Sequence, residues 1–130
     1  MGESKNVMPR ELAESEFAKW AEIHDIDGEE NGKGKELLIK ALENGSLVLE
    51  DGDFVYTIST RSPENCAGEK LRLVEPNVRA YMAMDGYKDT DSIHKAMAMA
   101  SAVCAKPMRW FSDLAGSDWK IISVVLSFLL

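Results

Sequence analysis

Cysteine is scarce. Cys66 and Cys104 are the only two in 130 residues, too few for a disulfide framework. There is no Cys-x-x-Cys, and the two histidines, His24 and His94, form no cluster with cysteine at metal-ligand spacing. Basic charge is also in deficit: 15 Lys and Arg face 22 Asp and Glu, leaving a net charge of −7. That argues against nucleic acid and against an anionic membrane surface as partners, because both need clustered cations. No apolar run reaches the roughly twenty residues of a membrane span, and Ser123 and Ser127 interrupt the C-terminal one. The opening stretch from Met1 to Arg10 is polar, with no signal-peptide core, so a cytoplasmic protein is expected.

Catalytic chemistry is equally thin. Neither histidine has a serine, cysteine or carboxylate at triad-like spacing, and both are expected at the surface. The acids between Asp25 and Glu30 lack the ligand spacing and the closing glutamate of a calcium loop. Asn44-Gly45-Ser46 has the form of a glycosylation sequon but reads better as a helix stop. Cys66 lies in a polar loop and is expected to be a free surface thiol; Cys104 reads as a small core residue. The expectation is a protein with no catalytic, cofactor-binding or metal-binding residues, not an enzyme.

What the chain has is apolar material: 45% of its residues are hydrophobic, enough for one core at this length and too little for two. The charge is uneven. Residues 1–50 hold twelve acids against six bases, while residues 51–130 hold ten against nine. Leu12, Ala13, Phe17, Trp20, Ala21 and His24 share one face of a helix over 11–24. The glycine-rich, acidic stretch Asp25–Gly34 reads as a flexible linker. Residues 1–34 are therefore expected to be an acidic extension, partly separable from a single α+β domain over 35–130, with Phe17 and Trp20 as the residues that would dock on it.

That domain opens with a short helix, Lys35–Glu43, stopped at Asn44-Gly45. Asp51-Gly52 then marks a two-residue hairpin turn, since both positions favour positive φ. The register that follows pairs Leu47 with Tyr56, Val48 with Val55, Leu49 with Phe54 and Glu50 with Asp53. Glu69 to Glu75 alternates like a third strand, and Pro76 suits the first turn of a helix running to about Met84. The expected fold is α+β: a small antiparallel three-stranded sheet, made of hairpin 47–58 plus strand 69–75, packed with helices, with a mostly helical C-terminal half.

That half reads as two amphipathic helices. In the first, Ile93, Ala96, Met97, Ala100, Val103 and Cys104 form one apolar face, capped by Asp91 or Ser92 and ended before Pro107. An apolar turn, Met108 to Phe111, leads to a last helix, Trp119–Leu130, recapped by Ser117 or Asp118. Trp119, Ile122, Val125, Leu126 and Leu129 should pack inward. Ile121, Val124, Phe128 and Leu130 then remain on other faces as candidate partner-binding residues. Five of the seven methionines fall between Met82 and Met108, and methionine suits adaptable binding surfaces. Met97 reads as core. Met99 falls off the main apolar face, and Met82 and Met84 cannot point the same way, so Met82, Met84 and Met99 join the partner-binding candidates.

From Leu47 onward the motifs resemble those of phage tail assembly chaperones. The matching pieces are Leu73-Val74-Glu75-Pro76 before a helix, Ala96 to Cys104 followed by Ala105-Lys106-Pro107, Phe111-Ser112-Asp113-Leu114, Asp118-Trp119, and Phe128-Leu129. Residues 1–46 have no counterpart in that pattern. The glycine stop that the family places before its proline is absent here. The resemblance implies a non-enzymatic protein in the bacterial host cytoplasm. Its partners would be the tape-measure protein, kept soluble, and the tail-tube protein, recruited to it; a second copy of the chain is a further candidate. The competing readings are a structural tail component of terminator or connector type and, more remotely, an acidic DNA mimic.

Overall fold

The computed structural model describes residues 8–26, 32–88 and 90–129. The turn chemistry at Asp51-Gly52 is realised as written: φ is 50° at Asp51 and 87° at Gly52. It joins β1 (Leu47–Glu50) to β2 (Asp53–Thr57) in the register that the sequence specifies, Leu47 opposite Tyr56 through Glu50 opposite Asp53. The third strand, β3 (Lys70–Leu73), pairs antiparallel with β2, so the sheet order is β1-β2-β3. Alternation places Leu47, Phe54, Tyr56, Leu71 and Leu73 on the covered face, while Val48, Arg72 and Lys70 are exposed on the other. The fold is α+β, with a mostly helical C-terminal half.

Among the described residues two helices precede the sheet: α1 (Arg10–Ile23) and α2 (Gly32–Asn44). The helix expected over 11–24 is present, but it is no appendage. Ala13, Phe17, Trp20 and Ala21 are buried, and α1 packs along α2. Trp20 stacks on Phe54 of β2 with ring centroids 4.5 Å apart. Each such large apolar side chain contributes roughly 1.5–3 kcal/mol when buried. Of the expected linker, residues 27–31 lie outside the described residues, and residues 32–34 form the first turn of α2. Arg10 of α1 also makes a forked pair with Glu36 of α2, at 2.7 and 2.6 Å. That exposed pair fixes alignment more than it adds stability.

Four helices follow the sheet: α3 (Val78–Ala83), α4 (Ser92–Cys104), α5 (Met108–Ser112) and α6 (Gly116–Leu129). Helix α3 starts two residues later than its proline suggested, because the Asn77 side chain accepts from the Ala80 N–H and caps it there. Asp91 caps α4 as expected. The stretch Met108 to Phe111, expected to be a turn, belongs to the short helix α5, which buries Phe111. Without a glycine, α4 still stops in a left-handed residue: Ala105 has φ 57°.

Helix α6 begins before its expected cap. Asp118 sits inside its first turn and is fully buried, whereas Ile122, Val125 and Leu126 enter the core as read. The apolar face of α4 differs more. Ala98, Met99 and Ala100 are the buried residues, and Ile93 is 58% exposed. The physical reason is that α4 packs against α3, α5, α6 and β3 at once. Its many alanines let neighbours approach from several sides, so no single stripe defines the inside.

Candidate interaction surface

Helix α3 is only six residues long and buries little except Ala80. Its outward stripe is apolar: Val78 is 74% exposed, Met82 65% and Tyr81 41%, at positions i, i+4 and i+3. Asn77 begins the helix at the one point that sets this phase. Large apolar side chains grouped on one short helix mark an interaction surface more readily than scattered ones do.

The chain leaving α3 then lines a groove of about 370 Å³ against α4 and α6. Met84, Ala96, Met99 and Leu126 supply its apolar lining, and Ser123 and Ser127 of α6 supply hydroxyls along one wall. Tyr87, between α3 and α4, stacks nearly parallel on His94 with centroids 5.8 Å apart. Its hydroxyl also points to Met108 Sδ at 3.3 Å, so the turn beside the groove is held at both ends. His94 is exposed, as expected, and its Nδ1 lies 2.7 Å from Asp91 Oδ1. That hydrogen bond holds the Asp91 carboxyl below its ordinary range.

The sequence candidates divide around this surface. Met82 is exposed and Met84 half-buried at the groove. Met99 was expected to be exposed, but it is only 1% exposed and belongs to the core, touching the groove from beneath. The α6 candidates do not form a free face. Ile121, Val124 and Phe128 are half-buried and pack against the core. Phe128 sets its ring edge-on to Phe17 at 5.7 Å and to Trp20 at 6.0 Å. The correction has a simple cause: α6 is contacted by α2, α4 and β3, so a helix apolar on several sides has neighbours on several sides. Leu130 lies outside the described residues. Sequence reasoning missed Val78 and Tyr81, although their i, i+3, i+4 spacing with Met82 was a readable signal.

Two other expectations are overturned. Cys66 is not a surface thiol; it is fully buried, and burial pushes its pKa up, with Asp113 and Glu69 adding to the shift. Cys104, by contrast, packs partly buried against the core as its place on the apolar face implies, and burial pushes its thiol up to about 12. His24 is not a surface residue either. Its side chain is 9% exposed, and Nε2 lies 2.8 Å from the Gly52 carbonyl, tying α1 to the hairpin turn.

The residue that sequence reading placed as a cap, Asp118, is instead a buried hub. Tyr56 donates its hydroxyl to Oδ1 at 2.5 Å, and the Ser59 N–H donates to the same oxygen at 3.0 Å. Ser59 and Ser62 hydroxyls donate to Oδ2 at 2.8 and 2.5 Å. Burial opposes ionisation, yet the combined donors hold the carboxyl below its ordinary range. With both oxygens doubly occupied, it has no acceptor left for a ligand.

Among the described residues there is no group of three His, Cys, Asp or Glu that could hold a metal ion, and no helix long and apolar enough to cross a membrane. Comparison of the chain with family models, with curated proteins and with solved structures gives no match.

Proposed function

We propose that this chain is a protein-binding module of the phage tail assembly chaperone kind. In that role it holds an apolar helical protein, the tape-measure protein, in solution in the bacterial cytoplasm, and it brings tail-tube subunits to it. It does so by binding alone, with no chemical step. The observation that carries the reading is the outward stripe Val78, Tyr81 and Met82, continuous along the chain with the Met84 groove. An unbranched, polarizable methionine adapts to different apolar ridges, which suits a partner that presents many similar helical turns.

Two further features support it. The strand motif Leu73-Val74-Glu75-Pro76, on which the resemblance partly rests, leads directly into the helix that bears the stripe. The exposed face of α1 carries Glu11, Glu14 and Glu22, so a negative surface would keep a chaperone–client complex dispersed. The partner-binding residues under this reading are Met82 and Met84 with Val78 and Tyr81, not the α6 set. The rival reading, a structural tail component, is separated by mass spectrometry of purified virions. A chaperone is absent from the finished particle although abundant in the infected cell; its presence at stoichiometric level favours the structural reading.

A further inference from the structure

A buried carboxylate at the start of a core helix is costly, and an apolar residue would fill the space more cheaply. Asp118 is nonetheless fully buried, and among the described residues every one of its hydrogen-bond partners is neutral: a phenol, two serine hydroxyls and a backbone N–H. Those partners lie 56–62 residues away in sequence, on β2 and the loop after it. Ser62 adds a second tie by accepting from the Ala115 N–H at 2.8 Å, immediately before α6. The N-terminal end of α6 is thus fastened to the sheet by polar contacts centred on one carboxylate. Further along, α6 provides the Ser123, Leu126 and Ser127 wall of the groove.

We propose that Asp118 with Tyr56, Ser59 and Ser62 is an acid-sensitive latch that governs the seating of α6, and through α6 the wall of the groove. Protonation turns a carboxylate that accepts four hydrogen bonds into a group that must itself donate one, so a hydroxyl that now donates to it has to turn and accept instead. At least one donor then loses its acceptor inside the core. The charged and titratable groups facing the cleft beside the latch are Arg61 from the loop and Tyr56 from β2. Tyr56 is raised by burial and by its bond to Asp118, so it stays protonated and remains a donor through the acid range. Arg61 is exposed. The proton that releases the latch therefore goes to Asp118. The sign follows: a depressed carboxyl stabilises the seated state above the ordinary aspartate value of about 3.9, and the contribution is lost as pH falls through its own value.

The test is hydrogen exchange of the whole chain read by mass spectrometry, comparing peptides from α6 with peptides from β2, between about pH 6 and pH 3, a range that brackets the ordinary aspartate value. In the wild type, α6 loses protection at higher pH than β2 does. In Asp118→Asn, α6 opens roughly tenfold or more often at the upper pH, in line with losing hydrogen bonds to a charged group, and shows no further selective loss on acidification. If Asp118→Asn does not fold, Tyr56→Phe replaces it, with a smaller opening confined to α6. The latch is overturned if wild-type α6 and β2 lose protection together at one pH. It is equally overturned if neither variant opens α6 selectively.

Discussion

Trp20 lies flat against Phe54, ring centroids 4.5 Å apart and planes 25° apart, and so joins the first helix to the central strand. Around this pair Phe17 and Phe128 close an aromatic cluster that joins α1 to α6. Among the described residues the Trp20 indole N–H has no acceptor, a cost of about 1–3 kcal/mol that the ring packing has to offset. Helix α1 is thus part of the core and not a tether. Trp20→Ala should lower unfolding stability by about 3–5 kcal/mol in urea titrations, and removing the residues before 27 should abolish cooperative unfolding. A truncated chain that melts like the full one would contradict this placement.

The stripe on α3 should behave as surface. Val78→Asp and Met82→Asp remove exposed apolar side chains without opening a cavity, so each should change stability by no more than about 0.5 kcal/mol. Phe128→Asp should instead cost several times that, because its ring packs against Phe17 and Trp20. Thermal melts of the three variants side by side decide between the two helices as the free face.

The hairpin was legible because Asp51-Gly52 fixes the turn and the turn fixes every pair in the register. The placement of α1 was not. Amphipathic period shows that a helix has an apolar face, not what covers it, and the acidic glycine-rich stretch beside it resembled a tether. In α4, alanine at 96, 98, 100 and 102 blurs the phase, so Met99 and Ile93 exchanged sides. The Asp118 hub was hidden because its donors are 56–62 residues away and a serine or aspartate near a helix start has an ordinary role as a cap.

Ala105 ends α4 in the left-handed region, where a Cβ costs roughly 1–2 kcal/mol. Ala105→Gly should therefore stabilise the protein by about 1 kcal/mol, less the entropy that glycine adds to the unfolded chain. An unchanged or lower denaturation midpoint would show that the Ala105 methyl contributes packing that outweighs the backbone strain.

The cysteines give a chemical check on packing. Both thiols are pushed up by burial, Cys104 to about 12, so neither is a good nucleophile near neutral pH. Thiol labelling of the native protein should be slow at both sites, and slower still at the fully enclosed Cys66, while urea should make both react quickly. Rapid native labelling of Cys66 would place its loop outside the core.

Net stability should fall in acid through Asp118. Its carboxyl is held below the ordinary range, so its contribution is complete above about pH 3.9 and disappears as pH drops through the folded value. Asp118→Ala should cost about 3 kcal/mol or more near neutrality, since Tyr56, Ser59 and Ser62 then lose their shared acceptor. It should also flatten the acid limb of the stability curve. A variant that keeps the wild-type acid limb would assign that limb to other carboxylates.

The most direct measurement of the proposed role is co-expression of the chain with a phage tape-measure protein, followed by size-exclusion chromatography of the soluble fraction. The wild type should keep that protein soluble and co-elute with it. The Val78→Asp, Met82→Asp double variant, folded by circular dichroism, should lose the complex and leave the tape-measure protein in the pellet. A wild-type chain that leaves the tape-measure protein insoluble would contradict the chaperone reading, and a double variant that still carries it would contradict the assignment of the α3 stripe as the binding element.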